Sequence, residues 1–367
     1  MRVLTAVAVL CGVAWLVLMA EIYHLDLDVY RIGVTTWLAG GDLYSTLPET
    51  VHGLSLPFIY PPIAAAMMVP LAAVSFPVAG AALTTLTIAL VAVTLTIVLD
   101  SLGLSRRWLA LIPLALVIEP VLSTLDYGQI NVVLMALVAA DCLVPKPRWP
   151  RGMLVGLAAA VKLTPAAFLL FFLLRRDHRA MVNTAVAFAS ATVTGFLVAW
   201  HESIQFWTQE IFHTGDKVGV HYVANQSILG VLTRFDAVVL WPLLAAAVMA
   251  LTVIGMRRAE PALALAVNAL AMLLVSPISW SHHWVWCVLI VPAFAKNGMR
   301  VLSAMGVLVF MIAPHALFEE ETMLVNAYAA YAVVALAVVA LRAYRTLRNA
   351  PVLPDRTAVR EPAPVQA

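Results

Sequence analysis

Long apolar runs broken by short polar stretches make up nearly the whole chain. The runs cover 2–20, 76–99, 107–119, 130–144, 180–200, 237–256, 260–275, 284–295, 299–316 and 323–342. Because a membrane span needs about 20 apolar residues, this pattern predicts an all-α polytopic bundle of about 10–12 membrane helices. Several runs are too short for uniform spans. The run 152–174 is interrupted by Lys162, Thr164 and Pro165, which predicts two half-helices meeting at a polar apex. Such breaks are tolerated where the freed backbone lines a cavity inside the protein. Segment 59–73 opens on Tyr60-Pro61-Pro62 and contains Pro70, and it is expected to dip into the membrane without crossing. From Asp28 to Leu38, the residues Val29, Ile32, Thr36 and Trp37 recur at helical spacing with Arg31 turned elsewhere. That spacing predicts a juxtamembrane amphipathic helix.

Composition narrows the class further. Hydrophobic residues are 63% of the chain and charged residues 11%, and the mean hydropathy of +0.95 lies far from that of a soluble domain. The principal partner is therefore the lipid bilayer. A net charge of +2, with cations in loop clusters rather than a stripe, implies no nucleic acid. The run Val3 to Ala20 behind Arg2 lacks a small-x-small cleavage site and reads as a retained first helix. Residues 1–349 then form one membrane domain, and 350–367, with three prolines and mixed charge, a disordered cytoplasmic tail. Cys11, Cys142 and Cys287 have no metal-ligand spacing and read as packing residues.

Loop charge sets an orientation. Arg2, Arg106/Arg107, Lys146/Arg148/Arg151, Arg175/Arg176/Arg179, Arg257/Arg258, Lys296/Arg300 and Arg342/Arg345/Arg348 can share the cytoplasmic face. The polar stretches then share the opposite, periplasmic face of a multi-pass cell-membrane protein: loop 21–57, the Asp126 to Asn131 turn, the Lys162 apex, loop 201–236, the His282/His283 turn and Glu319 to Glu321. A transporter is expected to hold its polar groups near the midplane of repeated halves. No internal repeat is evident, which favours chemistry at the outer face.

Polar groups beside hydrocarbon are costly, so those at the ends of apolar runs are the candidates for function. Asp26 and Asp28 suit helix capping or, alternatively, a general base that takes a proton from a hydroxyl. Lys162 suits an anionic phosphate as a point charge, or a lysine snorkelling at a helix apex. The pair His282-His283 suits phosphate binding, a hydroxyl contact or the orientation of Asp26. Gln129 and Asn131 are amides fitted to sugar hydroxyls or to helix capping, and Tyr60 and Tyr127 can stack on a sugar. Asn225-Gln226-Ser227 formally fits a glycosylation acceptor. Asp28, Arg31, Asn225 and Gln226 complete the candidate binding set. Trp280, Trp284 and Trp286 read as an interfacial belt, with Trp284 near a lipid. No Gly-rich phosphate loop or zinc-ligand set is evident, so neither cofactor nor metal is expected.

Read in order, Asp26-Leu27-Asp28-Val29-Tyr30, Leu56-Pro57-Phe58-Ile59-Tyr60-Pro61-Pro62, Glu119-Pro120 with Ser123-Thr124 and Asp126-Tyr127-Gly128-Gln129-Ile130-Asn131, Gly156 with Val161-Lys162-Leu163-Thr164-Pro165, Asn225-Gln226-Ser227, and Ser276-Pro277-Ile278-Ser279-Trp280-Ser281-His282-His283-Trp284-Val285-Trp286 resemble the actinobacterial family-87 glycosyltransferases. These are membrane enzymes of the GT-C type. The resemblance spans roughly residues 25 to 290. It implies mannose transfer from a polyprenyl-phosphate donor to a glycolipid hydroxyl, on a phosphatidylinositol mannoside or lipomannan, in an α-(1→2) linkage at the periplasmic face. It places the family's acid at Asp26, as base in an inverting displacement. Arabinofuranosyl transfer from a polyprenyl-phosphate arabinose, or glycolipid transport, are the alternatives.

Overall fold

A computed structural model describes residues 23–319 and 322–348. The expected first helix 2–20, with Arg2 and Cys11, together with Glu320, Glu321 and the tail 350–367, lies outside the described residues. The described residues are 75% helical, with no strand among them.

Helix α1 (Leu25–Leu38) and α2 (Pro62–Ala72) pack against each other and frame the first polar loop. Among the described residues, five stretches are long and apolar enough to span a bilayer: α3 (Phe76–Ser101), α9 (His178–Val198), Val238–Met256, Arg300–Leu317 and Met323–Thr346. A sixth is counted if the bent pair Arg106–Val117 and Glu119–Tyr127 is one span. Within these, α4 is Ile112–Val117, α5 Glu119–Tyr127, α13 Trp241–Met256, α16 Arg300–Ile312, α17 Pro314–Leu317 and α18 Ala327–Arg348. The remaining apolar helices are shorter: α6 (Asn131–Leu143), α7 (Met153–Val161), α8 (Leu169–Leu174), α14 (Pro261–Val275) and α15 (Cys287–Lys296). Full spans are therefore fewer than the count of apolar runs suggested. Pro and charged residues break the others: the chain bends by 63° at Glu119-Pro120 and stops being helical at Lys162, where φ is −150° and ψ is 128°.

Apolar all round, α14 is buried along almost its entire length and forms the axis of the bundle. Helix α7 lies close against α9 because Gly152 and Gly156 carry no side chain there. A Cβ on Gly156 would stand 2.4 Å from the Thr184 carbonyl oxygen, so any larger residue forces the helices apart. The loop 201–236 is largely helical, with α10 (Trp200–Gln205), a π-helical turn, α11 (Ile211–Val218) and α12 (Ile228–Arg234).

Chain direction sorts the bundle into two ends. The basic clusters cap one: Arg342 donates to the carbonyls of Asn297 and Gly298, and Arg175 to that of Ala259. From there α7, α9, α14 and α16 run to the opposite end, and α3, α6, α15 and α18 return. The polar stretches gather at that opposite end.

Candidate active site

Helix α1 begins at Leu25, three residues before the Asp28 start expected from the sequence, so Asp26 and Asp28 lie within its first turn rather than capping it. His24 takes the N-cap position in the left-handed region, φ 38°. Its backbone N–H donates to the Asp126 carbonyl at 2.6 Å and its Nε2 lies 3.1 Å from Thr84 Oγ1. This clamp fixes the first turn, which carries Asp26. Gln129 Nε2 donates to Asp26 Oδ2 at 2.6 Å. Tyr30 OH in turn donates to Gln129 Oε1 at 2.8 Å, and Tyr60 OH donates to the same oxygen at 3.3 Å. The carboxylate is thereby held by a buried relay whose members come from α1, the Leu56–Pro62 strap and the turn between α5 and α6.

Lys162 leaves the end of α7 and reaches the same place. Its Nζ donates to Asn131 Oδ1 at 3.1 Å and to His283 Nε2 at 3.0 Å, and it lies 5.5 Å from the centre of the Tyr60 ring. An ammonium has only donors, so His283 Nε2 must be the acceptor and the imidazole neutral. Asn131 Nδ2 and Thr124 Oγ1 both donate to the His282 carbonyl, at 3.1 and 2.9 Å, which seats the Ser281–Trp286 turn on α5 and α6. His282 is buried with Nε2 unpartnered among the described residues, and its ring lies 5.4 Å from that of Tyr127.

Asp26 and Lys162 stand outside the spanning helices and perturb each other. Burial pushes the Asp26 carboxyl up to about 6, against the opposing pull of the Gln129 hydrogen bond and the Lys162 charge. Burial likewise brings the Lys162 ammonium down to about 8, opposed by the Asp26 charge. A carboxylate titrating near neutrality is suited to general-base work.

A narrow cleft of about 20 Å³ opens at Lys162, His283 and Asn131, with Ser279, Thr164 and Trp286 on its walls. Thr164, Met272 and Ser276 are shared with an adjoining apolar groove of about 330 Å³ between α8 and α14, lined also by Leu170, Met249 and Val275. Polar site and apolar groove therefore meet at the break after α7.

Of the sequence-derived candidates, the structure gathers Asp26, Gln129, Asn131, Tyr60, Tyr127, Lys162, His282 and His283. The rest point elsewhere. Asp28 Oδ2 accepts from the Val51 N–H at 2.8 Å and anchors the polar loop. Arg31 donates to the carbonyls of Leu71 and Val74 at the end of α2. Asn225 and Gln226 are fully buried behind the 276–281 strap: Asn225 Oδ1 accepts from Ser279 N–H at 2.9 Å and Gln226 Nε2 donates to the Val325 carbonyl at 2.7 Å. The expected tryptophan belt is absent from this turn. Trp284 and Trp286 are buried, Trp284 against Phe310 and Tyr328 and Trp286 against Phe168, because the turn folds inward under α5. Sequence reading missed Tyr30 as a site residue, although it lies four positions after Asp26 on one helix face. It also missed the His24 clamp, which carries no local signal. Among the described residues no three His, Cys, Asp or Glu side chains gather to hold a metal.

The pattern of glycosyltransferase family 87 matches residues 58–277. A Mycolicibacterium smegmatis protein, a polyprenol-phosphate-mannose-dependent alpha-(1-2)-phosphatidylinositol mannoside mannosyltransferase, is 41% identical over 362 residues, covering 87% of this chain and 82% of its own. A Mycobacterium tuberculosis protein of the same name is 39% identical, covering 84% of this chain and 80% of its own. A second M. smegmatis protein, named for a phosphatidylinositol pentamannoside acceptor, is 34% identical, covering 82% of this chain and 78% of its own. No solved structure matches the chain.

Proposed function

Since this chain belongs to glycosyltransferase family 87, we propose that it transfers mannose from polyprenol-phosphate mannose to a phosphatidylinositol mannoside, forming an α-(1→2) linkage. The names of its relatives support donor, acceptor and linkage. One observation in the molecule carries the reading. A carboxylate and an ammonium stand in one buried polar cluster, and an apolar groove adjoins the cleft that the ammonium lines. A lipid-linked sugar phosphate has the matching parts: a hydrocarbon tail for the groove and a phosphate for Lys162.

The acceptor hydroxyl oxygen attacks the anomeric carbon, and Asp26 takes its proton. The bond from that carbon to the phosphate oxygen breaks, and the polyprenyl phosphate leaves with the electron pair. Lys162 stabilises the charge that develops there, in a site where fixed charges act strongly. Asn131 and neutral His283 orient Lys162; Gln129, held by Tyr30 and Tyr60, orients Asp26. His282 Nε2 and Tyr127 remain to meet sugar hydroxyls. No bound cofactor enters this scheme, and transfer is expected to persist in the presence of a chelator.

The deciding experiment supplies purified protein with phosphatidylinositol mannoside and either polyprenyl-phosphate mannose or polyprenyl-phosphate arabinose. A new α-(1→2)-mannosyl product with the first donor alone is expected. Product from arabinose alone would replace the mannosyl reading, and movement of glycolipid without a new bond would replace both.

We place the protein in the cell membrane with the active end on the periplasmic side, because the basic clusters cap the other end. Cysteines at exposed Ser45 and Ser105 test this. An impermeant thiol reagent applied outside should label Ser45→Cys and spare Ser105→Cys; the reverse result would invert the orientation.

The rate should also follow a bell in pH. Asp26 must be ionised, so transfer falls as pH drops through about 6, and Lys162 must be charged, so it falls again as pH rises through about 8. A pH profile of kcat/KM checks both limbs. A flat profile from 5 to 9, in units of pH on the order of the groups' ordinary range, contradicts the assignment.

A further inference from the structure

A second, wider cavity has no part in this chemistry. It offers about 560 Å³ between α3, the Arg106–Val117 segment, α15 and α16, within the ~300–1,000 Å³ usual for a small-molecule site. Its walls are apolar, with Leu99, Leu114 and Val291 among them, and its floor is formed by Ile118 and Cys287. Only the rim is charged, by Lys296 and Arg300. Trp108, 45% exposed, lines the same cavity and lies under Arg107.

Three observations identify what fits. From floor to rim, α15 runs through 10 residues from Cys287 to Lys296, about 15 Å at ~1.5 Å per residue, which is one leaflet of a hydrocarbon core ~30 Å thick. The rim cations are exposed, and among the described residues neither belongs to an ion pair. Nearby Arg106, by contrast, is held by Asp100 at 2.7 Å, and Arg107 lies over the Trp108 ring. Finally, an exposed tryptophan paired with an arginine, as Trp108 is with Arg107, is the composition of a membrane interface.

We propose that this cavity binds an anionic diacyl phospholipid of the leaflet at the basic end, with its tails between α3 and α15 and its phosphate on Lys296 and Arg300. Basic pockets between membrane helices recognise headgroups in this way. The floor residue Cys287 directly follows the turn that carries His282 and His283, so the tails brace the catalytic turn from beneath. The inference requires that the chain lie in a bilayer and is independent of its catalytic activity.

Photo-crosslinking tests it. The full-length protein is placed in phosphatidylcholine vesicles containing phosphatidylglycerol with a photoreactive acyl chain, and crosslinked peptides are mapped by mass spectrometry. Crosslinks are expected on α15, α16 and Arg106–Val117, displaced by unlabelled phosphatidylglycerol and not by phosphatidylcholine. The K296Q/R300Q double variant should weaken capture roughly thirtyfold, from about a fivefold contribution per cation near the membrane. Val291→Trp, which fills the cavity without touching the rim, should abolish the same crosslinks while the protein still inserts. Equal displacement by phosphatidylcholine would overturn the proposal. So would crosslinks confined to outward faces such as that of α9, or occupation of the cavity by the chain's own segment 3–20, seen as protection with no lipid captured.

Discussion

Replacing Asp26 by Asn should lower kcat for mannosyl transfer by about 10²- to 10⁴-fold, the usual contribution of a general base, with little change in either KM. The amide oxygen of Asn can still accept the hydrogen bond that Gln129 Nε2 gives to Asp26 Oδ2. The relay through Tyr30 and Tyr60 therefore survives, and the loss is chemical rather than structural. Asp28 cannot take over. It is buried, and its Oδ2 holds the Val51 N–H. Initial rates of product formation by purified Asp26→Asn, beside a thermal-stability trace matching the parent protein, decide the matter. A rate within tenfold of the parent, roughly 1.4 kcal/mol of barrier, would remove Asp26 from the base role.

The second large effect belongs to Lys162. Lys162→Met keeps a long chain in the break after α7 and removes only the charge. Losing a charge-assisted hydrogen bond to the donor phosphate costs about 1.5–3 kcal/mol, so the apparent affinity for polyprenyl-phosphate mannose should fall roughly ten- to a hundredfold. The acceptor constant should stay put. His283→Ala should weaken donor use through Lys162, because His283 accepts from its Nζ at 3.0 Å. The double variant should then cost less than the sum of the two, as expected for groups in one network. Full kinetics on both substrates for the two single variants and the double provide the check. A raised acceptor constant with unchanged donor affinity would move both residues to the acceptor side.

These two residues were legible in the sequence for different reasons. Lys162 stood out because a lysine followed by Thr-Pro inside an apolar run is costly unless it lines a cavity, and the helix does break there. Asp26 stood out as an acid beside the membrane, but only the family resemblance, and nothing in its local chemistry, separated it from Asp28. The fold gives the physical difference by turning one toward Gln129 and the other toward Val51. Arg31, Asn225 and Gln226 were read as binding groups because their side chains suit sugars and phosphates. Each is used instead on backbone carbonyls or amides far from it in sequence, a demand visible only once loops are brought together. The tryptophans of the 280–286 turn failed for a related reason. A belt reading assumes that a turn at a helix end faces lipid, whereas this turn is roofed by α5, whose path depends on the bend at Glu119. There the carboxylate accepts from Tyr328 OH at 2.7 Å, a partner 209 positions away.

The Asn225-Gln226-Ser227 triplet bears on how the protein can be produced. Asn225 is completely covered, and its Nδ2 gives hydrogen bonds to the Val220 and Pro277 carbonyls at 2.9 and 3.1 Å. In a eukaryotic secretory pathway this triplet is an acceptor for oligosaccharide, and the asparagine emerges from the ribosome well before Pro277 and Ser279 arrive to enclose it. A glycan added at that moment would occupy the space of the 276–281 strap and keep the His282–His283 turn from seating. Bacterial expression avoids that modification, and in a eukaryotic host Ser227→Ala would remove the acceptor signal at the loss of one hydrogen bond to the Pro277 carbonyl and of the cap on α12.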